Sequence, residues 1–185
     1  NYKGTRINDN NVGNVFKIAY EEELYKEANC KLCLYHEKLE ADDCIAITTK
    51  KILENYPESK IWIITNDMDY LQLANTNVNL INLKFKDITK NLKWFDDPQK
   101  NLFCKIVAGD KSDNILPIIY RCGFKTASKY YDDPKLFEKV LSENEGSRDN
   151  YNHNKKMIDF NEIPEELVNE FTNKYNEDLN SLLSE

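Results

Sequence analysis

Histidine is scarce in this chain: His36 and His153 are the two in 185 residues. Basic residues are also in deficit, 25 against 32 acids, for a formal charge of −7. That balance argues against non-specific polyanion binding through bulk charge. It leaves nucleic acid open, because a metal site needs clustered carboxylates and bound cations offset them. No apolar run approaches the ~20 residues needed to span a bilayer. No signal-peptide pattern, internal repeat or low-complexity linker is visible. Cysteines are few, odd in number and scattered: Cys30, Cys33, Cys44, Cys104 and Cys122. That suggests reduced thiols in a cytosolic-type compartment. Cys30 and Cys33 have zinc or redox spacing, but no second such pair exists. Against these absences, 41% hydrophobic and 31% charged residues make an ordinary globular composition. The length suits one sizeable domain, or one and a small appendage.

The most informative stretch is Ile61-Trp-Ile-Ile-Thr-Asn-Asp67-Met-Asp69-Tyr-Leu-Gln-Leu73. A β-branched apolar run ends in two aspartates one residue apart. It reads as a buried strand with carboxylates at its end, followed by a short helix. Side chains at i and i+2 of extended chain point the same way, so Asp67 and Asp69 could aim at one point. In open α/β sheets ligands sit beyond the carboxyl ends of strands. Two hard oxygen donors there suggest Mg²⁺ or Mn²⁺. A solvated strand-end turn, where Asp is common, is the plainer alternative.

Around that stretch the pattern alternates. Residues 7–14 are polar and turn-rich and read as a loop. Phe16, Tyr20, Leu24 and Ala28 recur every four residues, as in an amphipathic helix. Residues 31–36 look like a strand, and Glu40-Ala-Asp42-Asp43 opens a helix that ends at Pro57. Acids in a first helical turn also answer the helix dipole. Residues 31–65 thus read strand–helix–strand, a parallel right-handed crossover. That geometry would bring Glu40 and Asp42 near Asp67 and Asp69. Converging carboxylates repel unless cations bind.

Residues 78–83 read as another strand and 97–107 as a helix. Gly109-Asp110-Lys-Ser-Asp113-Asn114 is a glycine-led turn with two aspartates three apart. Beyond it Gly123, Lys125, Thr126 and Lys129 begin a further helix, whose first N–H groups suit a phosphate. Lys125 and Lys129 share a face, as Lys3 and Arg6 would in a helical turn. A plain surface helix-turn-helix is the alternative. From Pro134 onward the pattern is helical, roughly 134–143, 148–158 and 164–175.

Taken in order, Glu40-Ala-Asp42-Asp43, Thr65-Asn-Asp67-Met-Asp69-Tyr-Leu-Gln-Leu and Gly109-Asp110-Lys-Ser-Asp113-Asn114-Ile resemble the 5′ nuclease family. That family covers flap endonucleases, polymerase-associated 5′ nuclease domains and phage 5′→3′ exonucleases. Tyr2-Lys3-Gly4-Thr5-Arg6 resembles its Tyr-Lys-x-x-Arg segment, at the base of a helical arch. Met157-Ile-Asp-Phe-Asn-Glu-Ile-Pro164 is most similar to the T-even phage RNase H branch.

The resemblance implies an α/β fold, with a mostly parallel central sheet flanked by helices and a helix–three-turn–helix element. Residues 1–108 would form the nuclease core, with an arch remnant at 1–30, and residues 109–185 the helix–three-turn–helix and C-terminal helical region. By resemblance Asp42, with Glu40 and Asp43 beside it, and Asp67 and Asp69 are metal ligands. Asp110 and Asp113 look like second-cluster ligands, for two Mg²⁺ or Mn²⁺ ions in all. Lys3 and Arg6 look like the catalytic groups that hold the scissile phosphodiester. Lys111, Gly123, Lys125, Thr126 and Lys129 fall in the segment that grips duplex DNA.

The implied reaction is two-metal hydrolysis at 5′ ends or flaps of duplex DNA or RNA–DNA, in replication or repair. The implied setting is intracellular, cytoplasmic or nucleoid-type, phage-encoded rather than secreted. Replication proteins such as a sliding clamp or a single-strand-binding protein are partners of the kind implied. No peptide for them is evident at Leu182-Leu-Ser-Glu185. The family's hairpin carbonyls hold K⁺, but here Leu116-Pro-Ile-Ile-Tyr-Arg121 replaces its glycine-rich turn. Two family aspartates that precede the Tyr-Lys-x-x-Arg segment are not in the printed chain, so a preceding segment is expected. A DNA-junction binder without turnover and a PIN-type ribonuclease are the rival readings.

Overall fold

A computed structural model describes residues 10–91 and 93–184. It opens with helix α1 (Asn10–Glu21) and a single turn, α2 (Leu24–Glu27). The helix expected through Phe16, Tyr20, Leu24 and Ala28 is therefore broken. Glu23 adopts a left-handed conformation, φ 50°, and interrupts the ladder. The loop expected at 7–14 is instead helical from Asn10. Asparagine is a poor helix former but not a prohibitive one, at well under ~1 kcal/mol per residue. Val15, Ile18 and Tyr20 are exposed on α1.

The strand expected at 31–36 is absent among the described residues, and with it the 31–65 crossover. The backbone of that segment is satisfied by a side chain instead. The Tyr175 hydroxyl accepts from the Tyr35 N–H at 3.1 Å and donates to the Tyr35 carbonyl at 2.8 Å. Leu32, Leu34 and Leu39 pack around Cys44, Ile47, Phe171 and Tyr175. Apolar alternation without a neighbouring strand became a strap against a helix.

Helix α3 (Ala41–Asn55) follows, then strand β1 (Ile61–Ile64), a 3₁₀ helix (Met68–Leu73) and strand β2 (Val78–Ile81). The strands are parallel, with Ile61 opposite Val78 and Ile64 opposite Ile81. Ile63, Val78 and Leu80 are buried with Tyr70 and Leu71 of the 3₁₀ helix. Trp62 and Ile64, on the other face of β1, are more than half exposed.

Helix α4 (Pro98–Ala108) starts on an Asp97 cap and a proline at its first turn. It is the most buried helix, with Cys104, Ile106 and Val107 at most 2% exposed. Helices α5 (Phe124–Asp132), α6 (Pro134–Glu143) and α7 (Ser147–Ile158) complete the cluster of Cys104, Val107, Ala127, Phe137 and Leu141. Helix α8 (Glu165–Leu183) lays Phe171 and Tyr175 against α3. Through shared buried side chains α4 is packed against α5, α6 and α7 up to its C-terminus. No helix among the described residues is long and apolar enough to cross a membrane.

Candidate metal centre

Three chain turns deliver acids to one place. At the start of α3, the Asp43 carboxylate accepts the Glu40 N–H at 3.0 Å and the Asp42 carboxylate accepts the Asp43 N–H at 3.1 Å. These contacts cap the helix, and its dipole favours both acids.

After β1, the Thr65 hydroxyl oxygen accepts the Asp67 N–H at 2.9 Å. Asp67 in turn accepts the Asp69 N–H at 3.0 Å and caps the 3₁₀ helix. Asp69 is thus already helical, and the extended-chain argument for the Asp67–Asp69 pair does not describe its geometry. The turn starts one residue too early for two extended residues to lie side by side.

After α4, Gly109 has φ 70°, and a Cβ there would lie 2.4 Å from the Ile115 carbonyl oxygen. Glycine is required. The Ile115 N–H donates to the Asp110 carbonyl at 2.7 Å and closes the turn. The Asp110 carboxylate accepts the Ser112 N–H at 2.8 Å and the Ser112 hydroxyl at 2.5 Å.

The result is a group of three carboxylates, Asp69, Asp110 and Asp113, with one oxygen of each within 4.8 Å of the others. They open onto a cleft of about 210 Å³ whose wall also carries Glu40, Asp42 and Asp43. Asp67 lines an adjoining cleft of about 620 Å³, together with Asp69, Asp110, Lys111 and Asp113. Tyr70, next to Asp69 in the 3₁₀ helix, is buried in the core. Burial, then the negative fields of Asp42, Asp67 and Asp43, push its pKa well above the ordinary value.

Among the expected DNA contacts, Gly123 heads α5 and Lys125 and Lys129 are exposed. The Thr126 N–H turns inward to the Gly123 carbonyl at 2.9 Å. Phe124 reaches the larger acidic cleft, which sets the start of α5 at its edge. Lys3 and Arg6 lie outside the described residues.

Sequence reasoning missed Lys105. Its ammonium bonds the Asp69 carboxylate and lies 2.8 Å from Asp110. Burial opposes ionisation of Asp110, but Lys105 and Ser112 outweigh it and hold the carboxyl down at about 2. The available signal was a lysine one helical turn before Gly109, inside the otherwise apolar run 102–108.

A donor set made wholly of carboxylate oxygens suits a hard divalent cation of the Mg²⁺ or Mn²⁺ type. The family described as "5'-3' exonuclease, N-terminal resolvase-like domain" matches residues 1–111. The chain belongs to the 5′-3′ exonuclease family. Ribonuclease H of Enterobacteria phage T4 is 31% identical over 159 residues, covering 76% of this chain and 49% of that protein. A 5'-3' exonuclease of Mycoplasmopsis pulmonis is 33% identical over 111 residues, covering 55% of this chain and 35% of that protein. The chain thus spans half or less of the length of these curated relatives.

Solved structures share the fold. T5 5'-exonuclease with bound zinc superposes with a TM-score of 0.69 at 16% identity, over 96% of this chain and 77% of that one. The bacteriophage T5 D15 flap endonuclease, in a pseudo-enzyme-product complex with DNA and metal ions, gives 0.68 at 14% identity, over 97% and 77%. The fold shared with these structures therefore extends past residue 111 through the helical C-terminal part. Its α/β architecture is present here with two parallel strands among the described residues.

Proposed function

We propose that this 5′-3′ exonuclease-family chain hydrolyses phosphodiesters at 5′ ends or flaps of duplex DNA or RNA–DNA, using two divalent ions. The observation that carries the reading is the Asp69–Asp110–Asp113 group, assembled from two distant turns within 4.8 Å. The neighbouring Glu40, Asp42 and Asp43 on the same cleft supply a second set of oxygens. Asp69, Asp110 and Asp113 would hold one ion, and Asp42 and Asp67, with Glu40 and Asp43 beside them, the other. When bound, such ions supply Lewis-acid charge and a nucleophile from water at neutral pH.

The chain's own groups do the rest. Lys3 and Arg6 hold and polarise the phosphodiester. The first turn of α5, with Gly123, Lys125, Thr126 and Lys129, and Lys111 before it, grips the uncleaved duplex through phosphates without reading sequence. The flap endonuclease of the same fold that was solved with DNA and metal ions supports a DNA substrate and divalent cofactors. Mg²⁺ is the favoured ion, since small hard cations prefer carboxylates shared with substrate phosphate.

The test is cleavage of end-labelled flap DNA in Mg²⁺ by the full-length protein. Asp113→Asn should abolish product while flap DNA still shifts in a gel. Undiminished turnover by that variant would overturn the assignment of Asp113. A wild-type protein that binds junction DNA but never cleaves it would favour the non-catalytic alternative.

A further inference from the structure

Lys105 is 14% exposed, and its ammonium is bonded to Asp69 and Asp110, two of the three carboxylates of the candidate centre. It borders both acidic clefts. The other lysines that line these clefts differ: Lys38 and Lys156 in the smaller and Lys111 in the larger are all exposed. Counted by themselves, these three carboxylates and one ammonium sum to a formal charge of −2. A divalent ion takes carboxylate oxygens at about 2.0–2.6 Å. On these same oxygens it would stand only a few ångströms from the ammonium. Two cations that close repel strongly in a partly desolvated cleft.

We propose that Lys105 is a built-in counter-ion of the centre: it occupies the Asp69–Asp110 carboxylates in the metal-free protein and is displaced when a divalent ion binds there. The inference rests on the metal-centre reading above. It has two consequences. Without metal, the tethered ammonium keeps the two carboxylates converged, so the site is preformed. With metal, the released side chain is a long, flexible cation at the mouth of the cleft, and the ion binds less tightly than the carboxylates alone would allow. Lysine suits this exchange because its ammonium is a compact point charge on a four-carbon stem.

Two measurements test it. In the wild-type protein, lysine acetylation followed by peptide mass spectrometry should find Lys105 protected in EDTA. Mg²⁺ should raise its modification several-fold, with exposed Lys125 as the internal reference. Mn²⁺ binding, followed by electron paramagnetic resonance of the free ion, should be about tenfold or more tighter in Lys105→Met, and near wild type in Lys105→Arg. Lys105→Met should also melt earlier than wild type in EDTA and regain that loss in Mg²⁺.

Unchanged acetylation on adding Mg²⁺, or equal Mn²⁺ affinity in wild type and Lys105→Met, overturns the counter-ion role while leaving the metal centre standing. Failure of wild type and Lys105→Met alike to bind Mn²⁺ overturns both. Because the acetylation arm uses unmodified sequence, the outcome does not depend on the variant folding.

Discussion

The side-chain amide of Asn154 donates to the carbonyl of Leu116 at 2.8 Å, across 38 residues of chain. The same amide donates to the Ile106 carbonyl at 2.9 Å. Asn154 is 3% and Ile106 2% exposed, so the Ile106 carbonyl in particular has no water to replace the amide. Through this one amide α7 clamps both flanks of the turn that carries Asp110 and Asp113. Asn154→Ala should cost about 2 kcal/mol, the usual penalty for stranding buried polar groups. Thermal unfolding should fall by roughly 4–8 °C for a chain of this size. Mn²⁺ affinity should weaken as well, because the turn loses its anchor. A melting temperature within ~1 °C of wild type would show that the clamp is dispensable.

Gln72 performs a similar task from the 3₁₀ helix that holds Asp69. Its amide donates to the Ile158 carbonyl at 3.1 Å, and its carbonyl accepts the Phe160 N–H at 3.0 Å. Gln72→Glu would turn the donor toward Ile158 into an acceptor facing an acceptor. We expect destabilisation of about 1–3 kcal/mol, read by urea unfolding with an unchanged m value. Gln72→Met, which removes both hydrogen bonds, should cost a similar amount; stability equal to wild type in both variants would remove Gln72 from the support of the site.

Lys125 and Lys129 are exposed on α5, beyond the acidic clefts. If they bind phosphates, Lys125→Ala/Lys129→Ala should weaken duplex binding for every sequence alike. The slope of log affinity against log salt should shrink by about 1 per lost contact. Mn²⁺ binding should stay as in wild type. An unchanged salt slope would place the duplex on another surface.

The thiols divide by burial. Cys44, Cys104 and Cys122 are buried, whereas Cys30 is exposed and Cys33 half-buried. Burial pushes all three buried thiols up, Cys104 to about 12. A colorimetric thiol reagent at pH 8 should therefore titrate two cysteines quickly and the other three only at the unfolding rate. The unfolded chain loses these protons near the ordinary thiol value of 9, and the folded one does not. Stability from this source is intact below about pH 9 and declines as pH climbs toward 12. Rapid labelling of all five at pH 8 would contradict the packing around α4.

Helices α3, α4, α6 and α7 and the strand at Ile61 were legible from the chain because their signals are local. Pro57 stops one helix, Asp97 and Pro98 start another, and apolar spacing marks the buried faces. The order of the acidic motifs was legible too, and it pointed to the family. The strand expected at 31–36 was not a strand, because alternation encodes a buried face without naming its partner. Here the partner is Tyr175, 140 residues away.

Taken by itself, the chain determined which acids stand at the ends of regular elements, since caps and turns obey nearest-neighbour chemistry. Only tertiary packing decided that Asp69, Asp110 and Asp113 lie within 4.8 Å and that the Lys105 ammonium lies among them. Distances between residues 36 apart in sequence depend on how α4 seats against the 3₁₀ helix. That seating is set by burial summed over the whole core, which no short stretch of sequence contains.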